Sequence, residues 1–113
     1  TPLSFALDPD QIRQALGNLI LNAIQGSPRE SMIKVKVETG RRGVAIDITD
    51  HGTGMAAEEL ERVFEPYYTT RADGSGLGLP IALRIVEDHG GSLQMESLTG
   101  RGTTARVFLP WSR

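Results

Sequence analysis

The chain has 113 residues, of which 39% are hydrophobic and 23% are charged, as expected for one soluble globular domain spanning residues 1–113. A net charge of −2 gives no broad basic face for nucleic acid. The absence of cysteine excludes disulfides, thiolate catalysis and cysteine-ligated metal centres. No apolar run approaches the ~20 residues that a membrane-spanning helix needs.

The first predicted helix begins after Asp8. Asp8 suits the N-cap, Pro9 the first helical position, and Gln11 the closure of a capping box. Apolar residues recur with helical spacing until Gly26–Pro28 ends the helix, and they predict a stripe that faces the core. The stripe comprises Ile12, Ala15, Leu16, Leu19, Ile20, Ala23 and Ile24. An edge strand over Leu3–Leu7 is expected to precede this helix.

Periodicity predicts the remaining elements in turn. Alternating apolar and polar residues predict strands over 33–38, 44–49, 93–97 and 104–109. Helical spacing predicts a short helix over 57–63 and a long one from Leu79 to Gly90, with a long loop from Phe64 to Gly76 before it. The predicted fold is α+β, a two-layer α/β sandwich whose mixed sheet of about five strands carries three helices on one face.

A stripe of amide side chains borders the apolar stripe of the first helix. At about 100° per residue, its members fall within an arc of roughly 80°. They are Gln11, Gln14, Asn18, Asn22 and Gln25. Asparagine is unfavourable inside a helix because its side chain competes for backbone hydrogen bonds. Asn18 and Asn22 are therefore either part of a solvated flank or neutral oxygen ligands for a hard cation such as Mg²⁺.

Two glycine-containing segments follow strands or open helices. Asp50 ends a predicted strand and begins Asp-x-Gly-x-Gly, where Gly52 and Gly54 allow a backbone or a flat ligand to come close. The segment is either a capped tight turn or a ligand site in which Asp50 accepts a hydrogen bond from an amine. Gly74–Leu79 opens a helix and is either a hinge or an anion site made of backbone N–H groups, which Arg71 could assist.

Five segments in this order resemble the ATP-binding catalytic domain of bacterial two-component sensor histidine kinases, which has the Bergerat fold of the GHKL superfamily. They are Asn18–Ala23 (N box), Asp50–Gly54 (G1 box), Phe64–Arg71 (F box), Gly74–Leu79 (G2 box) and Gly102–Thr104. The resemblance covers nearly the whole chain. The Pro66–Thr70 run is similar to the nitrogen-regulation type of these kinases.

The resemblance implies a role for each segment. Asn22 would ligate Mg²⁺ between the phosphates, and Asp50 would accept a hydrogen bond from the adenine amine. Gly52 and Gly54 would shape the adenine pocket, and Thr103 would support that side through water. The backbone of the glycine-rich loop would hold the phosphates through Gly74, Gly76, Leu77, Gly78 and Leu79. Residues 64–76 would form a flexible ATP lid.

Two positions depart from related patterns. Many of these kinases have a lysine where this chain has Gln25, so Arg71 could supply the missing positive contact. The superfamily's hydrolases have a glutamate where this chain has Asn18, whose neutral amide is no general base. We therefore expect slow hydrolysis, with Asn18 and Arg71 as the candidate catalytic residues.

The implied enzyme is a protein-histidine kinase catalytic domain that binds Mg²⁺ and ATP. It would donate the γ-phosphoryl group to a histidine on a dimerisation domain, of its own or a partner chain, for a response regulator. Neither His51 nor His89 lies in the context of a phosphoacceptor. We expect the acceptor just upstream in a longer, homodimeric protein that is either membrane-anchored or not. The isolated domain is expected to be cytoplasmic and monomeric.

Three alternatives remain at this point. One is a serine kinase of the anti-sigma-factor type from the same superfamily, against which Asn18 counts because an acidic base is expected there. Another is a degenerate nucleotide-binding module that signals without phosphotransfer, against which the intact set of Asn22, Asp50 and glycines counts. The third is an α+β domain without a ligand.

Overall fold

The computed structural model describes residues 8–28, 31–68 and 76–111. In chain order the elements are α1 (Pro9–Gly26), β1 (Lys34–Thr39), β2 (Gly43–Thr49), α2 (Ala57–Arg62), α3 (Gly78–Asp88), β3 (Ser92–Leu98) and β4 (Gly102–Pro110). These confirm the predicted helices and four of the predicted strands, and the strand expected at residues 3–7 lies outside the described residues. Within the described ranges, no helix combines the length and apolarity required to cross a bilayer.

The start of α1 is fixed by its predicted cap. The Asp8 carboxylate Oδ1 accepts from the backbone N–H groups of Asp10, at 3.0 Å, and Gln11, at 3.2 Å. Pro9 occupies the first turn, where its missing N–H costs no intrahelical hydrogen bond. The helix runs to Gly26.

The sheet has the order β1-β2-β4-β3, and every neighbouring pair in this described sheet is antiparallel. The two-layer α+β prediction is confirmed. The described sheet has four antiparallel strands where a mixed sheet of about five was expected, and the further expected strand, at residues 3–7, lies outside the described residues. The connections explain why no described pair is parallel. Helix α3 carries the chain back so that β3 runs in the same direction as β2, and the β3–β4 hairpin then inserts β4 between them.

The core lies between the sheet and the two long helices. Its most deeply buried large side chains are Leu19 of α1, Val86 of α3, Ile48 of β2 and Val107 of β4. Burial of a side chain of this size contributes about 1.5–3 kcal/mol. On β1, Val35 and Val37 point to the same side of the sheet as Ile48. They stay 50% and 59% exposed because neither long helix reaches that strand. The helix-covered part of the sheet is therefore β2, β4 and β3.

Candidate functional site

Asp50 is the one charged residue among the buried side chains that the structure describes, with 5% of its surface exposed. It continues the β2–β4 ladder, since its N–H donates to the Thr103 carbonyl at 2.9 Å. Its Oδ1 accepts from the N–H groups of Gly52, at 2.9 Å, and Thr103, at 3.2 Å. These donors offset the cost of burying the carboxylate.

The second oxygen of Asp50, Oδ2, receives none of these hydrogen bonds within the described residues. Every fully buried side-chain N or O atom of the described residues has a hydrogen-bond partner. Because Oδ2 has no such partner in this part of the chain, it is accessible to solvent. A carboxylate oxygen can only accept hydrogen bonds. Asp50 therefore offers a fixed, nearly buried acceptor to a ligand that carries N–H or O–H groups.

The glycines after Asp50 bring backbone close to backbone. A Cβ at Gly52 would lie 1.8 Å from the carbonyl oxygen of Gly26, at the end of α1. Gly54 has φ +72°, and a Cβ there would lie 2.0 Å from the Leu98 carbonyl oxygen. Both glycines are therefore required for the close approach of neighbouring backbone. The loop is thus pressed against the end of α1, which carries Asn22 one turn earlier.

Thr103 lies directly across from Asp50, and its hydroxyl belongs to a small polar cluster. The Thr103 Oγ1 is 2.8 Å from the Ser97 Oγ, which donates to the Gly102 carbonyl at 3.0 Å and accepts from the Met55 N–H at 2.7 Å. Sequence analysis missed Ser97. Only the strand register, which pairs Ser97 with Thr103, could have indicated it.

Helix α3 begins beside the amide stripe of α1. The Asn18 Nδ2 donates to the carbonyl of Gly78, the first residue of α3, at 3.2 Å. Of the five amide side chains in the stripe, only Asn18 and Asn22 are partly buried, and the three glutamines are exposed to solvent. Asn18 therefore connects the two helices, in addition to bordering the site.

The N-terminus of α3 has no acidic residue in its first turn and no side-chain cap on its N-cap residue, Leu77. The first N–H groups of a helix lack intrahelical acceptors and carry partial positive charge. Asn22 lies one turn beyond Asn18 on the same face of α1. Asn22 and the N–H groups at Gly78 and Leu79 thus border one region.

The chemistry of these donors fits Mg²⁺ held partly by a bound ligand. The described residues contain no group of three His, Cys, Asp or Glu side chains that could hold a metal ion. Mg²⁺ is commonly bound through one or two protein oxygens together with substrate phosphates and water. The amide oxygen of Asn22 has the chemistry of such a ligand, and a helix N-terminus such as that of α3 can receive anionic groups.

The base of the predicted lid is closed by backbone contacts. The Tyr67 N–H donates to the Gly76 carbonyl at 2.8 Å, and Tyr67 adopts φ 67°, which is rare for a residue with a side chain. A Cβ at Gly76 would lie 2.4 Å from the Tyr67 carbonyl carbon. Gly76 is therefore required for this closure. Arg71 and Gly74, two of the predicted site residues, lie outside the described residues.

An open hollow of about 530 Å³ lies on the α2 side of that closure. It is lined by Arg62, Glu65, Pro66, Tyr67 and Tyr68. The Arg62 guanidinium stacks 4.4 Å from the Tyr68 ring centre, and its 2.6 Å hydrogen bond to Glu65 raises the pKa of Arg62. None of Asn22, Asp50 or Thr103 lines this hollow, so it is separate from the region between α1, α3 and β2.

Characterised proteins resemble this chain in sequence. A model of the family described as histidine kinase-, DNA gyrase B- and HSP90-like ATPases matches residues 7–113. Sensor histidine kinase ZraS of Escherichia coli O157:H7 is 48% identical over 103 residues, and sporulation kinase C of Bacillus subtilis strain 168 is 37% identical over 103 residues. Each alignment covers 91% of this chain but only 22% and 24% of those proteins. The chain thus spans less than a quarter of the length of these relatives.

Solved structures show the same fold. The mycobacterial sensor histidine kinase MprB superimposes with a TM-score of 0.86 at 31% identity, over 98% of this chain and 77% of that one. The catalytic domain of histidine kinase ThkA superimposes with a TM-score of 0.82 at 33% identity, over 92% of this chain and 68% of that one. From its sequence and its fold, the chain belongs to the family of histidine kinase-, DNA gyrase B- and HSP90-like ATPases, among relatives that are sensor histidine kinases.

Proposed function

We propose that the chain binds ATP with Mg²⁺ and donates the γ-phosphoryl group to a histidine on a separate dimerisation domain, in two-component signalling through a response regulator. The observation that carries the proposal is the arrangement along α1. Gly26 abuts the loop after Asp50, whereas Asn18 contacts the first residue of α3. Eight residues, about 12 Å of helix, separate these two contacts. A nucleotide lying along α1 would have its base at Asp50 and its phosphates at α3.

Asp50 would orient the base by accepting from an amine at Oδ2. At the other end, the N–H groups of Gly78 and Leu79 would hold phosphate oxygens, and Asn22 would supply an oxygen ligand to the metal. Mg²⁺ supplies charge neutralisation on the phosphates. Phosphoryl transfer depends mainly on positioning and on charge stabilisation, and these groups would supply both on the donor side.

The side chain of Asn18 supports transfer to a protein over hydrolysis. An amide cannot remove a proton from water, and the Nδ2 of Asn18 is engaged with the Gly78 carbonyl. Slow hydrolysis would preserve the γ-phosphoryl group until an imidazole reaches it.

Calorimetric titration with ATP, with and without Mg²⁺, tests the nucleotide site. We expect saturable binding that Mg²⁺ strengthens, and we expect Asn22→Ala to abolish the strengthening while leaving metal-free ATP binding within about twofold. Gln14→Ala, on the same helix and exposed, is the matched control. Absence of ATP binding under both conditions would refute the proposal, and an unaltered Mg²⁺ response in Asn22→Ala would remove Asn22 from the metal site.

A further inference from the structure

We propose that Ser97 sets the nucleobase specificity of the site by fixing the direction of the Thr103 hydroxyl. This inference rests on the proposed function, because it concerns the end of the site that would hold the base. Ser97 lies on β3, opposite Thr103 on β4, and both side chains point to the helix-covered side of the sheet, as Leu93 and Ala105 do on the same strands.

The direction of each hydrogen bond around Ser97 follows from the chemistry of its partners. The Gly102 carbonyl can only accept, so it takes the one proton of the Ser97 hydroxyl. The Met55 N–H can only donate, so it occupies one of the two lone pairs of the Ser97 Oγ. The remaining lone pair is 2.8 Å from the Thr103 Oγ1. All three contacts are satisfied together only when Thr103 donates its proton to Ser97.

Thr103 is consequently an acceptor towards the site. Its proton is directed to Ser97, and the lone pairs of its Oγ1 stay available. Directly across the ladder, Asp50 also presents an acceptor, Oδ2, because its Oδ1 is occupied by two backbone N–H groups. The two positions are joined by the hydrogen bond from the Asp50 N–H to the Thr103 carbonyl at 2.9 Å.

Two neighbouring acceptors favour an amino group and disfavour a carbonyl oxygen at the same place on a purine. An exocyclic amine has two protons to donate, directly or through a water, whereas a 6-oxo group has no proton for either acceptor. Buried polar groups that a ligand leaves unpaired give strong discrimination. Ser97 is therefore a positioning residue for specificity, and it acts through Thr103.

The test compares ATP with inosine triphosphate, in which a carbonyl replaces the 6-amino group. The measured quantity is the dissociation constant of inosine triphosphate divided by that of ATP, both determined by calorimetry, so a high ratio means a strong preference for ATP. We expect Ser97→Ala to lower the preference for ATP about tenfold, because the freed Thr103 hydroxyl can then donate to the carbonyl. Ser92→Ala, exposed on the other face of β3, is the control and should leave the ratio unchanged.

A double-mutant cycle with Thr103→Val separates this role from a structural one. Thr103→Val should lower the ratio by itself, and Ser97→Ala should have no further effect on the ratio in that background. Equal weakening of ATP and inosine triphosphate in Ser97→Ala would overturn the proposal, since Ser97 would then only support the Met55 loop. If Ser97→Ala does not fold, an unchanged ratio in Thr103→Val overturns it equally. Absence of ATP binding by the unaltered chain would instead refute the proposed function, and this inference with it.

Discussion

At the scale of single residues, the ability of Asp50 to bind a ligand depends on which of its carboxylate oxygens already accepts hydrogen bonds from the protein. Its Oδ1 already accepts from Gly52 and Thr103. In Asp50→Asn the amide oxygen would keep those two bonds, which forces the NH₂ group into the place of Oδ2. A donor would then face the amine of the ligand. We expect ATP affinity to fall more than tenfold, measured by calorimetry, because a hydrogen bond to a charged group contributes about 1.5–3 kcal/mol.

Asp47 provides the matched control for that substitution. It lies on the same strand, faces the opposite side of the sheet, and pairs with Arg106 at 3.7 Å. Asp47→Asn also removes one negative charge from β2, so it isolates the effect of position from that of net charge. ATP affinity of Asp50→Asn equal to that of Asp47→Asn would contradict the assignment of Asp50 to the base.

The site residues that could be predicted from the sequence are those whose neighbours along the chain form a recognisable pattern. Asp50 precedes two glycines at the end of an apolar strand, and the structure buries it there. Ser97 gives no such pattern: it lies on the same face of β3 as Leu93 and Met95, but a single serine near the end of a strand does not indicate which groups it will contact. Its contacts with Met55 and Thr103 arise from strand pairing, which no local pattern encodes.

At the scale of elements, α1 and α3 are antiparallel helices joined by a polar contact at each end. Asn18 donates to the Gly78 carbonyl near the site, and the Asp8 N–H donates to the His89 Nε2 at 3.0 Å at the far end. The same histidine places Nδ1 2.7 Å from the Ile85 carbonyl. The two contacts lie about 15 Å apart along α1 and about 16.5 Å apart along α3. This agreement in length lets both contacts form without bending either helix.

Removal of the contact near the site and removal of the contact at the far end should have different consequences. His89→Ala should lower the free energy of unfolding by about 1 kcal/mol, measured in urea, with ATP affinity unchanged, since that contact lies at the end remote from Asn22. Asn18→Ala should cost a similar amount in stability and also weaken ATP binding, because it releases the first turn of α3 from α1. ATP affinity that is equally reduced in both variants would show that the contact near the site has no special role.

The elements themselves were predictable from the sequence because periodicity is a local property. Helical spacing located α1 and α3, and alternation located all four described strands. The pairing of those strands was not predictable in the same way. Insertion of β4 between β2 and β3 depends on where α3 returns the chain, and the exposure of Val35 depends on how far α1 extends over the sheet. Both are consequences of packing between distant segments.

At the scale of the whole molecule, the two histidines are poorly placed to receive a phosphoryl group. His89 uses both ring nitrogens, one towards Ile85 and one towards Asp8, at the end of α1 opposite to the site. His51 is exposed, but it follows Asp50 at the proposed base end, not at the phosphate end by Gly78. Under the proposed function, the acceptor imidazole would therefore come from another domain.

This division predicts the outcome of a labelling experiment. Incubated with Mg²⁺ and γ-³²P-ATP, the chain alone should take up no acid-labile label, and a histidine-bearing dimerisation domain added in trans should become labelled. An Asp50→Asn chain should label that domain more slowly, since its occupancy by ATP is lower, whereas a His51→Ala chain should match the unaltered one. Label on the chain itself that disappears in His51→Ala would place the acceptor within this domain. The donor and the acceptor would then not be on separate folded units.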